Sequence, residues 1–574
     1  MLPECCRVVG RDFAVVVGFE TPTTTRFATP GSRFGPRKGA AESVRSLCAT
    51  PASDLARFVE SQRGVAGTEA SQVGAPTPSY ERSSGAACQS LGPGYRRREP
   101  EKTLLHATVR EHLATFLEET RERSATGAGF PRFVEQEFER YLKCGILAHG
   151  FARVRCGDCG NDLLVALSCK GRGLCPSCNA RRTHDTAAHL VDSVLPHAPV
   201  RQWVLSLPRR ARWLLARDPQ LLSRALDIAL RAIFRSYRKR ARRLGLRDAK
   251  CGAITFVQRF GGALNLNVHY HCALVDGVLV KEGDSVRFVS VGKLTDDEVE
   301  AVLARIVRRL APLLRPRDDD GAEEPPGPLA AAQMEALLPA SHATLHEPPR
   351  RKQQSALLEG YSLHAGVHLH ANDREGIERL LCYGARGPLS LDRLGALPDG
   401  RLTYKLRHPL AGGRSMLVLT PTEFLRKLAV LVPPPRHHLV RFHGVFGPNA
   451  ALRSLVVPRP AEPVPQTSPS IPGPRSSAPA AVPLATNAQP APDQTGRARI
   501  PWAALLKRVF KIDVLSCRRC GGRMEVIAFL TERKVVKAVL DHLGLPSTEP
   551  PVARARAGPQ EAFEQWQDDV PEMQ

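Results

Sequence analysis

Little in this sequence is aromatic, acidic or continuously apolar. Trp, Tyr and Phe together make up 6% of its 574 residues, and 57 Asp and Glu stand against 81 Lys and Arg. No run reaches the ~18–20 apolar residues that a membrane-spanning helix needs. The first residues also lack the basic-then-apolar pattern with a small-residue cleavage site that marks a secretory signal. A soluble, cytoplasmic protein is therefore expected. The shortage of acid leaves a net charge of +24 and a pI near 9.8, which raises affinity for polyanions through steering and counterion release. Nucleic acid is the first partner class this implies, and an anionic membrane surface is the second. With 43% hydrophobic and 24% charged residues the chain is globular rather than disordered throughout, and its length predicts two to four folded units.

Composition changes along the chain mark these units. Residues 1–93 are rich in Gly, Ser, Thr, Pro and Ala and are expected to be a disordered extension or the product of a mis-called start. A helical stripe begins with Leu104, Val109, Leu113 and Phe116 and continues through Phe133, Phe138 and Leu142, opening a helical and cysteine-rich segment over 94–195. Mixed helix and strand patterns fill 196–457. They are interrupted over 315–354 by an acidic, Pro-rich stretch that reads as an inserted loop. Residues 458–499 read as an extended Pro/Ala linker, 500–547 as a small C-terminal unit, and 548–574 as a tail.

The 15 cysteines are odd in number and cluster in C-x-x-C pairs, which in a reducing compartment points to metal rather than to disulfides. Cys156 and Cys159 are separated by 15 residues from Cys175 and Cys178, a spacing that fits one closed tetrahedral zinc site of structural type. Cys144 and Cys169 either complete a second site or are buried small hydrophobes. Cys517 and Cys520 supply half a site that no later cysteine completes, with His542 as a further candidate.

A second constellation is a strand, ALNLNVHYHCALV over 263–275, lying between Gly261-Gly262 and Asp276-Gly277. Alternation puts Leu264, Leu266, Val268, Tyr270, Cys272 and Leu274 on one face and Asn265, Asn267, His269 and His271 on the other. Two imidazoles at i and i+2 can reach one divalent ion, Mg²⁺ or Mn²⁺, with positions left open for a phosphate oxygen. Gln258 is a tentative third ligand. With a two-residue turn at Gly261-Gly262 it stands opposite Asn265, about 13 Å from His269, so only a longer loop brings it near. His364 competes for the role.

A helix over 373–386, DREGIERLLCYGAR, carries Tyr383 off its apolar stripe, with Arg379 at i−4 and Arg386 at i+3. This face can hold a phosphate between a phenol and two guanidiniums. Further basic charge lies between Arg231 and Lys250, where Arg238, Lys239, Arg240, Arg242 and Arg243 are interleaved with Phe234 and Tyr237. That mixture suits a groove that tracks the backbone of single-stranded DNA.

The order of these blocks resembles the rolling-circle transposases of the insertion sequence 91 family, members of the HUH endonuclease superfamily. The blocks are the zinc module with SCKGRGLCPSCNARR, a strand ending Leu205-Ser206-Leu207-Pro208, NLNVHYHCALVDGV, SLHA, DREGIERLLCYGARGPLSLDRL, PPPRHHLVRFHGVFGPNA and WAALLKRVFKIDVLSCRRCGGRME. The resemblance implies an α+β fold with an antiparallel sheet, the metal-binding pair His269 and His271 on a central strand, and the nucleophile Tyr383 on a helix laid across it. It also implies nicking and rejoining of single-stranded DNA at transposon ends and target, through a 5′-phosphotyrosine. Two-tyrosine members carry Y-x-x-x-Y, but the positions four before and four after Tyr383 are Arg379 and Gly387. The chain therefore resembles the single-tyrosine, ISCR-like branch, and a second cleavage needs turnover of Tyr383 or another protomer. Two other readings remain at this point: a plasmid replication initiator or relaxase using the same groups, and a zinc-dependent DNA-binding protein without chemistry.

Overall fold

A computed structural model describes residues 97–124, 126–314, 327–335, 353–409, 413–457, 501–510 and 513–556. The expected extension over 1–93, most of the 315–354 stretch, the 458–499 linker and the last part of the 548–574 tail lie outside these residues.

Two helices open the described chain, α1 (Leu104–Glu122) and α2 (Arg132–Lys143). Thr103 caps α1 by accepting from the His106 N–H, satisfying one of the N-terminal donors that a helix leaves unpaired. Val109, Leu113 and Phe116 of the expected stripe are buried with Phe138 of α2. A hairpin follows, β1 (Phe151–Cys156) and β2 (Asp162–Ala166), and then α3 (Pro176–Ser193).

The central unit runs β3 (Val200–Ser206), α4 (Arg209–Arg217), α5 (Pro219–Arg243), β4 (Gly252–Phe260), β5 (Leu266–Val275), β6 (Val278–Glu282), β7 (Ser285–Val289) and α6 (Asp296–Leu310). It continues with α7 (Pro328–Glu335), β8 (Ser355–Leu358), β9 (Tyr361–Leu369), α8 (Arg374–Ala385), β10 (Leu394–Ala396), β11 (Leu402–Lys405), β12 (Met416–Leu419), α9 (Pro421–Ala429), β13 (Val440–Gly444) and α10 (Arg453–Val456). Helix α7 falls inside the stretch read as a loop. Its Ala-rich sequence with Pro at the start is a good helix former, and it is held in place by burial of Ala332 and Gln333.

Six strands form the main sheet in the order β13-β4-β5-β3-β9-β8, every neighbouring pair antiparallel. The His-bearing β5 is third of the six. Alternation holds along it: Leu266, Val268, Tyr270, Cys272 and Leu274 pack against α5 and α6 in the largest core, with Trp203 and Leu363. Each such large side chain taken out of water contributes about 1.5–3 kcal/mol. The opposite face buries Ile254, Phe256, Ala273 and Val275 against Leu190 of α3 and Ile377 and Leu381 of α8. Leu264 departs from the expected face, since the turn over 261–265 holds it at φ 54° and it joins a different cluster with α1 and α9.

The last elements are α11 (Trp502–Phe510), β14 (Met524–Leu530) and α12 (Arg533–His542). They do not form the separate unit that the sequence suggests. Strand β14 pairs with β1 from Phe151↔Leu530 to Cys156↔Met524, giving a three-stranded sheet β14-β1-β2. Val536 and Leu540 of α12 are buried against Leu147, Phe151 and Ala166. The physical reason is the hairpin's open edge: β1 has β2 on one side only, and MEVIAFL supplies the missing ladder. Among the described residues no helix is long and apolar enough to cross a membrane.

Candidate zinc sites and active site

Two groups of four cysteines have sulfurs that all lie within 4.8 Å of one another. The first joins Cys144 at the end of α2, Cys169, Cys175 capping α3, and Cys178 in its first turn. Three of its Sγ pairs stand at 3.4 to 3.7 Å, close to the ~3.8 Å edge of a tetrahedron with Zn–S bonds of about 2.3 Å. The second joins Cys156 and Cys159 to Cys517 and Cys520, with Cys156–Cys520 and Cys159–Cys517 both at 3.5 Å. The single site expected from Cys156, Cys159, Cys175 and Cys178 is thus corrected. The chain runs from the first pair into β2, and that carries Cys156 and Cys159 away from α3, where Cys144 and Cys169 already fill the shell. His542 lies outside both groups. Backbone N–H groups of Cys169, Gly171, Arg519 and Gly522 donate to cysteine sulfurs, as thiolates around an ion require. Arg98, buried at 7% exposure, donates to the Cys144 carbonyl. Burial alone would lower its pKa, yet Cys175 and Cys144 outweigh that and raise it.

The candidate active site sits on the sheet face beneath α8. Gln258 pairs directly with His269 across β4 and β5, because residues 261–265 form a longer loop than two glycines and a bulge follows Gln258. His364 is two strands from His271, with Val204 between them, so roughly 9–10 Å of sheet separates them. The His269 and His271 rings lie 4.9 Å apart, and the Tyr383 ring stands edge-on to His271 at 5.4 Å. His269 Nδ1 donates to the Asn267 carbonyl at 2.8 Å, which leaves Nε2 as a lone-pair donor. Burial, with Arg386 and Arg212 nearby, pulls its pKa down to about 4. Burial and the neighbouring His269 hold His271 well below the usual range. Both imidazoles are neutral at pH 7, the state a metal requires.

Nε2 of His271 and Oε1 of Gln258 are among the buried atoms of this cluster that have no partner. Leaving a buried polar atom unmade costs about 1–3 kcal/mol, and a shared cation would satisfy both. Gln258 Nε2 donates to the carbonyls of Tyr383 and Gly384 at 2.9 and 2.8 Å, tying the tyrosine helix to the same residue. Gly384 lets the helix lie low, since a Cβ there would stand 2.6 Å from the Phe256 ring. Arg386 covers Tyr383, its guanidinium 4.3 Å from the ring centre and one nitrogen 3.5 Å from the hydroxyl. Arg379 instead lies 3.9 and 3.7 Å from Asp373 and Glu375.

Two family models match the chain. One, described as "Putative transposase", takes in residues 252–452, and the other, "Transposase zinc-binding domain" of the insertion sequence 91 type, takes in residues 109–207. Together they cover more than half of the sequence, in the order zinc module then His strand and tyrosine helix. The chain is an insertion sequence 91-like transposase with an N-terminal zinc-binding domain. No curated protein and no solved structure matches it. As a transposase it is a DNA-binding, DNA-processing enzyme with a zinc-binding domain, and both cysteine clusters have the composition and spacing to hold structural zinc.

A further residue belongs to this candidate site. Gln202 of β3 is buried and places its amide nitrogen 3.3 Å from His271 Nδ1. Turned with its oxygen to the ring, that amide would accept from Nδ1–H and free Nε2. Its signal was the alternation of β3, which puts Gln202 on the His271 side, opposite to Trp203.

The basic helix is also only partly as expected. Arg238, Lys239, Arg242 and Arg243 are exposed, but Arg240 is buried at 5%. It packs over Tyr237 and reaches the Gly292 carbonyl and Glu298. Tyr237 is fully buried and donates to Asp276 at 2.7 Å, so it is no stacking platform. The helix stripe explains this: positions 233, 237, 240 and 241 face the core, and the exposed cations lie on the other side. Reversing charge at Arg238, Arg242 and Arg243 is expected to weaken DNA binding evenly across sequences. On single strands each lost phosphate contact removes about 0.7 from the log–log salt slope. An unchanged slope in a salt titration would remove this face from the DNA path.

Proposed function

We propose that this transposase nicks and rejoins single-stranded DNA at transposon ends through Tyr383, in rolling-circle transposition. What supports the reading is the convergence of a half-buried tyrosine on two neutral histidines and an unpartnered Gln258 oxygen, all on one sheet face. Tyr383 Oη attacks a phosphodiester, the bond from phosphorus to the 3′ oxygen breaks, and the phenol proton ends on the released 3′-OH. The 5′-phosphate stays on the tyrosine. Joining is the reverse, a 3′-OH attacking the phosphotyrosine. Arg386, stacked on the ring, offsets negative charge on the phenolic oxygen and on the phosphate. His269, His271 and Gln258 would hold Mg²⁺ or Mn²⁺, and Gln202 would fix the tautomer of His271. When bound, that ion withdraws charge from a non-bridging phosphate oxygen.

The direct test is incubation with single-stranded DNA of the element's own ends and Mg²⁺, scored as a covalent protein–DNA adduct. His269→Ala with His271→Ala should abolish nicking and leave most strand affinity, because affinity rests on exposed arginines elsewhere. Nicking by a folded double variant with unchanged rate and Mg²⁺ dependence would defeat the metal assignment.

A further inference from the structure

Helix α8, which carries Tyr383, ends without closing on its own backbone. Arg386 leaves it extended, at φ −56° and ψ 153°, so the left-handed residue that commonly satisfies the last carbonyls of a helix is missing. Side chains from two other elements meet those carbonyls instead. Gln258, from the sheet below, donates to Tyr383 and Gly384. The next carbonyl, that of Ala385, accepts from the Thr183 hydroxyl of α3 at 2.9 Å. Thr183 is 1% exposed, so its hydroxyl proton is left with protein acceptors. The alternative is the Asn179 carbonyl within α3, at 3.1 Å, the local bond that a helical threonine commonly makes.

The helix that supplies Thr183 is fixed at its start by the first cysteine group. Cys175 caps it and Cys178 lies in its first turn. One turn before Thr183, Asn179 donates to the Gly173 carbonyl at 2.9 Å, and Glu137 accepts from the N–H groups of Gly173 and Leu174. Asn179 also faces Gly387, where a Cβ would stand 2.8 Å from its Nδ2. At the other end of the pair, Arg374 of α8 donates to the Val191, Leu195 and Pro196 carbonyls. Arg508 joins Asp192 of α3 to Glu378 of α8. The two helices therefore lie antiparallel, with Leu190, Val191, Ile377 and Leu381 buried in one cluster. Tyr383 is two residues from the carbonyl that Thr183 holds.

We infer that Thr183 is a positioning residue for Tyr383, holding the end of the tyrosine helix to a helix that the first cysteine group fixes. That this hold serves nicking rests on the function proposed above; the hold itself does not. The test uses the full chain and two readouts. One is hydrogen exchange of the amides over 381–387, and the other is the single-turnover rate of adduct formation on single-stranded DNA of the element's ends with Mg²⁺. Thr183→Val keeps the shape of the side chain and removes its proton. It should speed exchange at the end of α8 and leave strand affinity and zinc content unchanged. Adduct formation should slow about 10-fold, since a 1 Å misplacement of a reacting group can cost about 100-fold. Thr183→Ser keeps the hydroxyl and should match wild type in both readouts. Equal losses in the Val and Ser variants would overturn the inference and assign the effect to the methyl group. Faster exchange with an unchanged rate would also overturn it, leaving Thr183 as a helix cap only. If Thr183→Val does not fold, Thr183→Ser against Thr183→Ala carries the test, because these two differ only in the hydroxyl; equal exchange and rate in both would defeat the proposal. Wild type that forms no adduct, while exchange still responds to Thr183→Val, removes Tyr383 as the nucleophile and keeps the hold. Wild type that forms adduct, with neither readout moved by Thr183→Val, keeps Tyr383 and removes the hold.

Discussion

Tyr383→Phe is expected to fold, to bind single-stranded DNA as wild type does, and to form no covalent adduct. The change deletes one oxygen whose only close partner among the described residues is Arg386, at 3.5 Å. The ring contacts, 5.4 Å to His271 and 4.3 Å to the Arg386 guanidinium, need no hydroxyl. No other described tyrosine is placed to substitute. Tyr141, Tyr237, Tyr270, Tyr361 and Tyr404 are each at most 4% exposed, whereas Tyr383 is half-buried. Tyr404 is locked under Arg393, with burial raising its pKa. Denaturing gels of protein incubated with labelled strand and Mg²⁺ check the prediction. Wild-type levels of adduct on the Phe variant would refute the assignment, and peptide mapping would then be directed at Tyr361 and Tyr404. Because Arg379 and Gly387 occupy the places of a second tyrosine, the same assay with excess target strand should show one tyrosine used in both cleavage and joining.

The parts of this site that sequence revealed are those set by local periodicity. Strand alternation alone put His269 and His271 on one face, because in β5 each neighbour is fixed by a two-residue repeat. Cross-strand register was not local. Gln258 meets His269 only because the 261–265 turn is longer than the glycine pair suggests and a bulge follows Gln258, and neither is written in the residues of β4. The cysteines show the same limit more sharply. Spacing within 156–178 satisfied the rule for one zinc site, but the rule says nothing of which pairs meet. Cys517 and Cys520 reach Cys156 and Cys159 through strand pairing between β1 and β14, a contact across more than 350 residues. Arg240 failed for a different reason. Counting basic residues along α5 ignores which side of a helix faces the core, and the apolar stripe turns that one arginine inward.

Metal analysis should find two zinc ions per chain, and the two sites should fail differently when broken. Cys175 is 1% exposed and lies in the core shared by α1, α2 and α9. Cys175→Ser should therefore remove one zinc and leave little soluble protein, since structural zinc in such modules supplies about 10–16 kcal/mol of apparent folding free energy. The second site is more open, with Cys520 exposed and Cys159 partly so. It joins a C-terminal segment to the hairpin β1–β2, where β14, Val536 and Leu540 add a ladder and an apolar contact of their own. Cys517→Ser should remove the other zinc while the central sheet keeps its transition. To expose the difference, a protease site is placed within 458–499 and cut. Cut wild type should stay together on a sizing column, and cut Cys517→Ser should release residues 500–574, because the ladder and apolar contacts then act without the metal. Equal release from both cut proteins would show that the second cysteine group holds no zinc that matters to this joint, and wild type with one zinc per chain would remove that site altogether.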